Sequence, residues 1–297
     1  MLVTNGSLQA FHFVLDALSG DERRVLVERP TYDRPRKILA AQGVELGEIP
    51  VDDDGLDIDA LERELEGAPA SFLYTIPTFQ NPTGSTLSEE RRRRLAELAR
   101  SRRLRVLEDD PYGLVRFDGE PLPSLFELDG GVNVMYSSSF SKTIAPGLRV
   151  GYAIVPEALA SELEDLVAST YITPALLSQA TVYEFLRRGL FEPNLERVRG
   201  LLRARRDAML DALDHELAGH ASWNRPEGGY FLWLDLSEEI DASELLARDG
   251  GITFVPGADF GGTPASARLA FSFVSPAEIE EGVRRLARLV TEAPAPV

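Results

Sequence analysis

Cysteine is absent from the 297 residues, which excludes disulfides, thiol catalysis and thiolate zinc sites among them. Histidine is scarce: His12, His215 and His220 show neither metal-ligand spacing nor a catalytic partner, and read as structural. Lysine is scarcer, since only Lys37 and Lys142 interrupt a basic complement made otherwise of arginine. No apolar run approaches the roughly 20 residues of a membrane helix, and the first residues show no basic segment leading into an apolar one. Positive charge is also in deficit, with 31 basic against 48 acidic residues and a net charge of −17. No basic stripe outweighs that excess, so a nucleic-acid partner is not expected. These deficits describe a soluble protein compatible with a reducing cytoplasm.

The apolar content, 44%, is ample for one large domain and a smaller one. Leu2 and Val3 read as the end of a strand, Thr4 to Ser7 as a turn, and Leu8, Phe11, Leu15 and Leu18 as one helix face up to Gly20. A strand over Val25–Glu28, a helix ending near Gly43, a strand over Val44–Val51, a helix over Leu56–Leu65 and a strand over Ser71–Thr75 follow. Ser88 opens an arginine-rich helix to about Arg102, and Leu104–Leu107 is another strand. Such alternation predicts an α/β fold with a doubly wound, mainly parallel sheet.

Beyond Pro156 helices are expected, with a break at Ser169–Pro174 and more helix from Ala175 to Leu217. A composition shift near Gly189–Pro193 divides the chain into a large domain, 1–188, and a small α+β domain, 189–297. In the latter a glycine turn at 228–229 leads into a strand, Ile252–Val255 and Arg268–Phe273 read as two more, and Ser275–Glu278 is a capping box opening the last helix.

One of the two lysines is placed unlike a solvated one. Lys142 follows the apolar run Val132–Tyr136 in a hydroxyl-rich turn, with Arg149 seven residues on as a new apolar run begins. Burial and a neighbouring cation both favour the neutral amine, and a neutral amine can attack a carbonyl. Lys37, in Arg34-Pro35-Arg36-Lys37, reads as solvated.

Ser139-Phe140-Ser141-Lys142 followed by Pro146-Gly147-Leu148-Arg149-Val150-Gly151-Tyr152 resembles the lysine motif of class I/II aminotransferases, fold type I enzymes using pyridoxal 5′-phosphate. The resemblance covers nearly the whole chain and is nearest to the branch of 2-aminoadipate aminotransferases and MocR-regulator domains. It implies that Lys142 carries the cofactor and moves the substrate Cα proton, while Ser139, Ser141 and Arg149 approach the cofactor phosphate. The same phosphate is expected at the turn of Gly6 and Ser7 with the backbone N–H of Leu8, which stands where the family has glutamine; a plain N-cap is the alternative for Ser7.

Tyr32, just past a strand end, takes the ring-stacking position, or else packs in the core. Asn-Pro-Thr-Gly at 81–84 is an Asx turn on its face, but by resemblance Asn81 reaches the phenolic oxygen of the cofactor and borders the substrate. Asp109 and Tyr112, in Asp-x-x-Tyr spacing, are assigned to the ring nitrogen and the phenolic oxygen. Asp110 competes with Asp109, and Glu108 reads alternatively as a structural partner for an arginine. Arg268, in Arg-Leu-x-Phe, is assigned to the substrate α-carboxylate; a salt bridge for Arg149 and a solvent-facing position for Arg268 are the bland alternatives.

The implied activity is a ping-pong exchange of an amino group between an amino acid and a 2-oxo acid, carried out by a homodimer. A silent cofactor-binding domain of the regulator type and a lyase on the same scaffold remain alternatives. Two features depart from the family: the chain opens at the Asn-Gly-Ser turn, without the segment that supplies an arm and cross-dimer contacts, and the loops at 248–252 and 261–267 are short.

Overall fold

Val25, Leu26 and Val27 on one strand and Phe72, Leu73 and Tyr74 on the next are all buried, so these strands lack the alternation of a half-exposed sheet. Strands apolar on both faces need helices on both sides, the arrangement of parallel sheets. The computed structural model, which describes residues 1–18, 20, 23–248 and 250–292, has that architecture. Its first part runs β1 (Leu2–Thr4), α1 (Ser7–Leu18), β2 (Arg24–Arg29), α2 (Asp33–Ala41), β3 (Glu45–Asp52), β4 (Gly55–Leu56), α3 (Ile58–Gly67), β5 (Phe72–Thr75) and α4 (Glu89–Arg102). It continues with β6 (Val106–Asp109), α5 (Leu125–Asp129), β7 (Val134–Ser139), β8 (Gly151–Ile154), α6 (Glu157–Tyr171) and α7 (Leu176–Arg187).

These strands form one sheet in the order β1-β8-β7-β6-β5-β2-β3-β4. The five from β7 to β3 are parallel, and β1, β8 and β4 are antiparallel to their neighbours. From β2 the chain moves outward to β3, whereas from β5 it moves the other way to β6 and β7. The loops after β2 and β5 therefore diverge, and a crevice opens at the carboxyl edge where open α/β sheets bind ligands.

The remainder comprises α8 (Phe191–Glu216), β9 (Ala221–Trp223), β10 (Phe231–Leu236), α9 (Ala242–Leu246), β11 (Val255–Pro256), β12 (Ser266–Ala270) and α10 (Pro276–Thr291). Its four-stranded antiparallel sheet has the order β11-β12-β10-β9. Helix α10 buries Ile279, Val283, Leu286, Ala287 and Val290, one face at helical spacing, and Ser275 and Glu278 form the expected capping box. The division of the chain at 189, which we retain as a proposal, falls in the turn between α7 and α8.

Several expected boundaries shift. Leu56 pairs with Val51 in β4, and the helix starts after Asp57, whose carboxylate caps Ala60 N–H at 3.0 Å. Ser169 and Thr170 continue α6, with their hydroxyls donating back to the Leu166 carbonyl, so the break expected at 169–174 falls between Tyr171 and Leu176. Tyr171 then anchors that helix end by stacking on Phe13 and donating to the Val3 carbonyl at 3.0 Å. Of the apolar run Ile252–Val255 only Val255 pairs, while Phe254 is buried from a loop, and β12 begins at Ser266 and ends at Ala270. The 248–252 loop includes Asp249, which lies outside the described residues.

Candidate active site

Glu108 and Asp109 end β6 and Asp110 follows it, and strand alternation sends Asp109 to the face opposite Glu108. Glu108 accepts from the Leu125 and Phe126 N–H groups at 3.1 and 2.9 Å and lies 4.0 Å from Arg92, a structural role. Asp110 accepts from Gly113 N–H at 2.7 Å and the Tyr136 hydroxyl at 3.1 Å. Asp109 accepts from the Tyr74 hydroxyl through Oδ2 at 2.9 Å, while its Oδ1 is buried without a partner. Burial pushes its carboxyl up to about 7; the Tyr74 and Ser7 hydroxyls oppose the rise, and Asp110 and Glu28 add to it. A buried carboxylate with one bare oxygen is suited to a cationic N–H donor.

Lys142 lies in the turn after β7, with Nζ 5.6 Å from the centroid of the Tyr112 ring and 5.0 Å from that of Tyr230. Burial, then Arg268 and Arg149, hold its amine below the ordinary lysine value. A larger neutral fraction near neutral pH follows, and that is the nucleophilic form. Tyr112 is itself buried, and burial raises its hydroxyl above the usual tyrosine value, opposed by Arg268.

Gly6 and Ser7, in the turn into α1, pack against Gly151, and Arg149 reaches the same turn beside Ser141. Arg149 donates to Ser141 Oγ at 3.1 Å and to the Asn5 carbonyl at 3.2 Å. Gly6 has φ +88°, and a Cβ there would stand 2.3 Å from an Arg149 nitrogen, so only glycine lets the guanidinium reach the helix start. Ser139 ends β7, opposite Gly151 of β8. No acid occupies the first turn of α1, so no side chain of that turn neutralises the positive dipole end of the helix.

The turn after β5 carries Asn81. Gln80 beside it donates to Glu28 and to the Pro30 carbonyl at 2.9 and 2.8 Å and accepts from Thr83, which fixes the turn on β2. Asn81 Oδ1 accepts from Arg268 Nη1 at 2.8 Å. The guanidinium lies over the rings of Phe231 and Phe260, 4.1 and 4.8 Å from their centroids, and its Nε is buried without a partner. Far from facing solvent, Arg268 is buried enough that its pKa is lowered. Tyr32, at the head of α2, is half-buried and packs on the core; burial, Asp33 and Asp109 raise its hydroxyl.

The carboxyl edge thus brings Asp109, Tyr112, Lys142, Asn81 and Arg268 together, with Arg149 near enough to act on Lys142. Sequence reasoning missed Tyr74, Phe260 and the Glu28–Gln80 pair, since each sits in an apolar run or turn that reads equally well as core; the glycine turn through Tyr230 and Phe231 was placed at the substrate pocket by resemblance, with no role for either side chain. Among the described residues no cluster of metal-ligating side chains occurs, and no helix is long and apolar enough to cross a membrane. The residues present fit pyridoxal phosphate: a bare buried carboxylate oxygen for a ring cation, an amine of lowered pKa for an aldehyde, and an arginine against a glycine turn for a phosphate.

Comparison with known proteins agrees with that fit. Residues 1–286 match the model of the family "Aminotransferase class I and II". The chain is 39% identical over 297 residues to the 2-aminoadipate transaminase of Thermus thermophilus, covering 97% of this chain and 74% of the relative. It superposes on the kynurenine aminotransferase of Pyrococcus horikoshii, solved with PMP, with a TM-score of 0.94 at 34% identity, over 99% of this chain and 75% of that one. It also resembles the HTH-type transcriptional regulator YisV of Bacillus subtilis, at 32% identity over 97% of this chain and 60% of the regulator. The chain belongs to the class I and II aminotransferases, a family whose cofactor is pyridoxal 5′-phosphate.

Proposed function

We propose that the carboxyl-edge residues divide the work of transamination between an amino acid and a 2-oxo acid, with Lys142 as the catalytic base and cofactor-holding amine. The observation that carries this reading is a depressed, cation-flanked amine set among the same residues as the bare carboxylate oxygen of Asp109. Bound there, pyridoxal phosphate supplies a protonated ring that accepts the electron pair left when the substrate Cα loses its proton. Asp109 keeps the ring cation protonated, and Asn81 and Tyr112 serve the phenolic oxygen, with Tyr32 against the ring face. Arg149, Ser139, Ser141 and the Gly6–Leu8 turn hold the phosphate. Arg268, clamped between two rings and steadied by Asn81, binds the α-carboxylate and so fixes which Cα bond is aligned for cleavage. Lys142 takes the proton from Cα.

The test is stoichiometric conversion of a 2-oxo acid to its amino acid with ping-pong kinetics. The donors 2-aminoadipate and kynurenine come first, since similar proteins bear those names. A silent cofactor-binding domain of the regulator type would bind pyridoxal phosphate without turnover, and a lyase would release product without an acceptor.

Two further variants test the assignment. Arg268→Lys keeps the charge but loses the planar fork, and kcat/KM is expected to fall about tenfold to a hundredfold, the worth of a charge-assisted hydrogen bond. A KM for the amino acid that stays unchanged together with kcat would reject the clamp. Gly6→Ala combines a disfavoured positive φ with displacement of Arg149, so a rise of about tenfold or more in the Kd for pyridoxal phosphate is expected by titration of absorbance.

A homodimer in the cytoplasm completes the proposal. Ile172, Leu176, Leu177 and Tyr183, exposed around the start of α7, give an apolar surface for a second copy, which sedimentation equilibrium would detect.

A further inference from the structure

The turn that carries Lys142 is strapped from the far side by two side chains of later sequence. The Tyr230 hydroxyl donates to the Lys142 carbonyl at 2.9 Å, and Asn194 of α8 donates to the next carbonyl, that of Thr143, at 2.7 Å. Tyr230 does more than tie the backbone. Its ring is 5.7 Å from that of Tyr112, tilted by 57°, and the Lys142 ammonium lies over both. Its own carbonyl accepts from Phe271 N–H at 3.2 Å, just past the strand bearing Arg268, and Trp233 lies opposite Arg268 in the register of β10 with β12. The same residue therefore joins the arginine sheet to the lysine turn. Gly229 before it has φ +73°, and a Cβ there would stand 2.6 Å from Phe79 Cβ, so the turn that delivers Tyr230 is set by close backbone packing.

We infer that Tyr230 is a positioning residue for Lys142: its hydroxyl fixes the turn relative to Arg268, and its ring, with that of Tyr112, forms the seat on which the amine is aimed at the substrate Cα. This rests on the reading of Lys142 as the base. A ring face favours the ammonium, so the seat opposes burial and the two cations that disfavour it. The charged and titratable groups facing Nζ are Arg268 from β12, Arg149 from the turn before β8, Tyr112 after β6 and Tyr230 before β10.

Two substitutions separate hydroxyl from ring. In Tyr230→Phe the single-turnover rate of the loaded enzyme with an amino acid is expected to fall about twofold to tenfold, with KM and the Kd for pyridoxal phosphate unchanged, as for one lost hydrogen bond. In Tyr230→Leu the cofactor-free protein is acylated with an amine-selective reagent across a pH series, and the Lys142 peptide is followed by mass, which two lysines make easy to read. Its labelling midpoint is expected to move to lower pH, because the ring face that favoured the ammonium is gone. An unchanged single-turnover rate in Tyr230→Phe, or a slowing matched by an equal loss of cofactor affinity and melting temperature, overturns the inference. If the wild-type protein transfers no amino group at all, the proposed function fails, but the labelling comparison still decides: a midpoint moved to lower pH supports the hold of Tyr230 on Lys142, and a coincident or higher midpoint refutes it.

Discussion

Lys142→Ala is expected to abolish both the borohydride-fixed cofactor adduct and measurable transamination. The removed amine is the only one at the carboxyl edge, and proton transfer by a positioned side chain is worth on the order of 10² to 10⁴ in rate by itself. The covalent hold on the cofactor is lost as well, so the fall should exceed the lower figure. Lys37 provides the internal control: it is exposed and paired with Asp33 at 2.7 Å, so Lys37→Arg should retain the adduct and the rate. The measurement is reduction of the protein with borohydride after addition of pyridoxal phosphate, followed by peptide mass. An adduct that persists in Lys142→Ala, or one found on Lys37 in the wild type, would sink the assignment.

That the lysine was legible in the sequence has a physical cause. In a chain that uses arginine nearly everywhere, a lysine beside an apolar strand stands where a permanently charged guanidinium could not lose its proton. The parallel sheet was legible too, because strand and helix patterns alternate from Val25 to Leu107. Choosing among Glu108, Asp109 and Asp110 needed the structure, since spacing favours one acid while only geometry shows which oxygen stays bare. Tyr230 was illegible for a different reason. Its role depends on contacts 88 residues away, and Gly-Gly-Tyr-Phe before a strand marks a turn that by resemblance frames the substrate pocket, with no sign that its tyrosine holds the lysine. The break expected at 169–174 begins only after Tyr171, since the Ser169 and Thr170 hydroxyls bond back to the Leu166 carbonyl within α6.

Asp109→Asn should separate function from stability in opposite directions. An amide cannot favour a ring cation as a carboxylate does, and transamination is expected to fall on the order of 10² to 10³, the range for removing one preorganised electrostatic partner. In the cofactor-free protein the same change should stabilise. Burial holds the Asp109 carboxyl at about 7, against 3.8 in the unfolded chain. Between those values the native state keeps a proton that the unfolded state has released, so stability is lost as pH rises through the window, and the loss is complete above about 7. A displacement of that size is worth at most about 4 kcal/mol. Asparagine carries no such proton, so the melting temperature of cofactor-free Asp109→Asn should rise relative to wild type from about pH 4 to about pH 7 and then level off. Glu108 is also a buried carboxyl raised by burial, but it is common to both proteins and cancels in the difference, whereas the repulsion between Glu28 and Asp109 is removed with the Asp109 charge. A difference in melting temperature that does not vary with pH would mean that the bare oxygen of Asp109 is hydrated rather than held dry for a ligand. Loading with pyridoxal phosphate should reverse the order, because the ring cation then turns the buried charge from a cost into a contact that only the wild type can make.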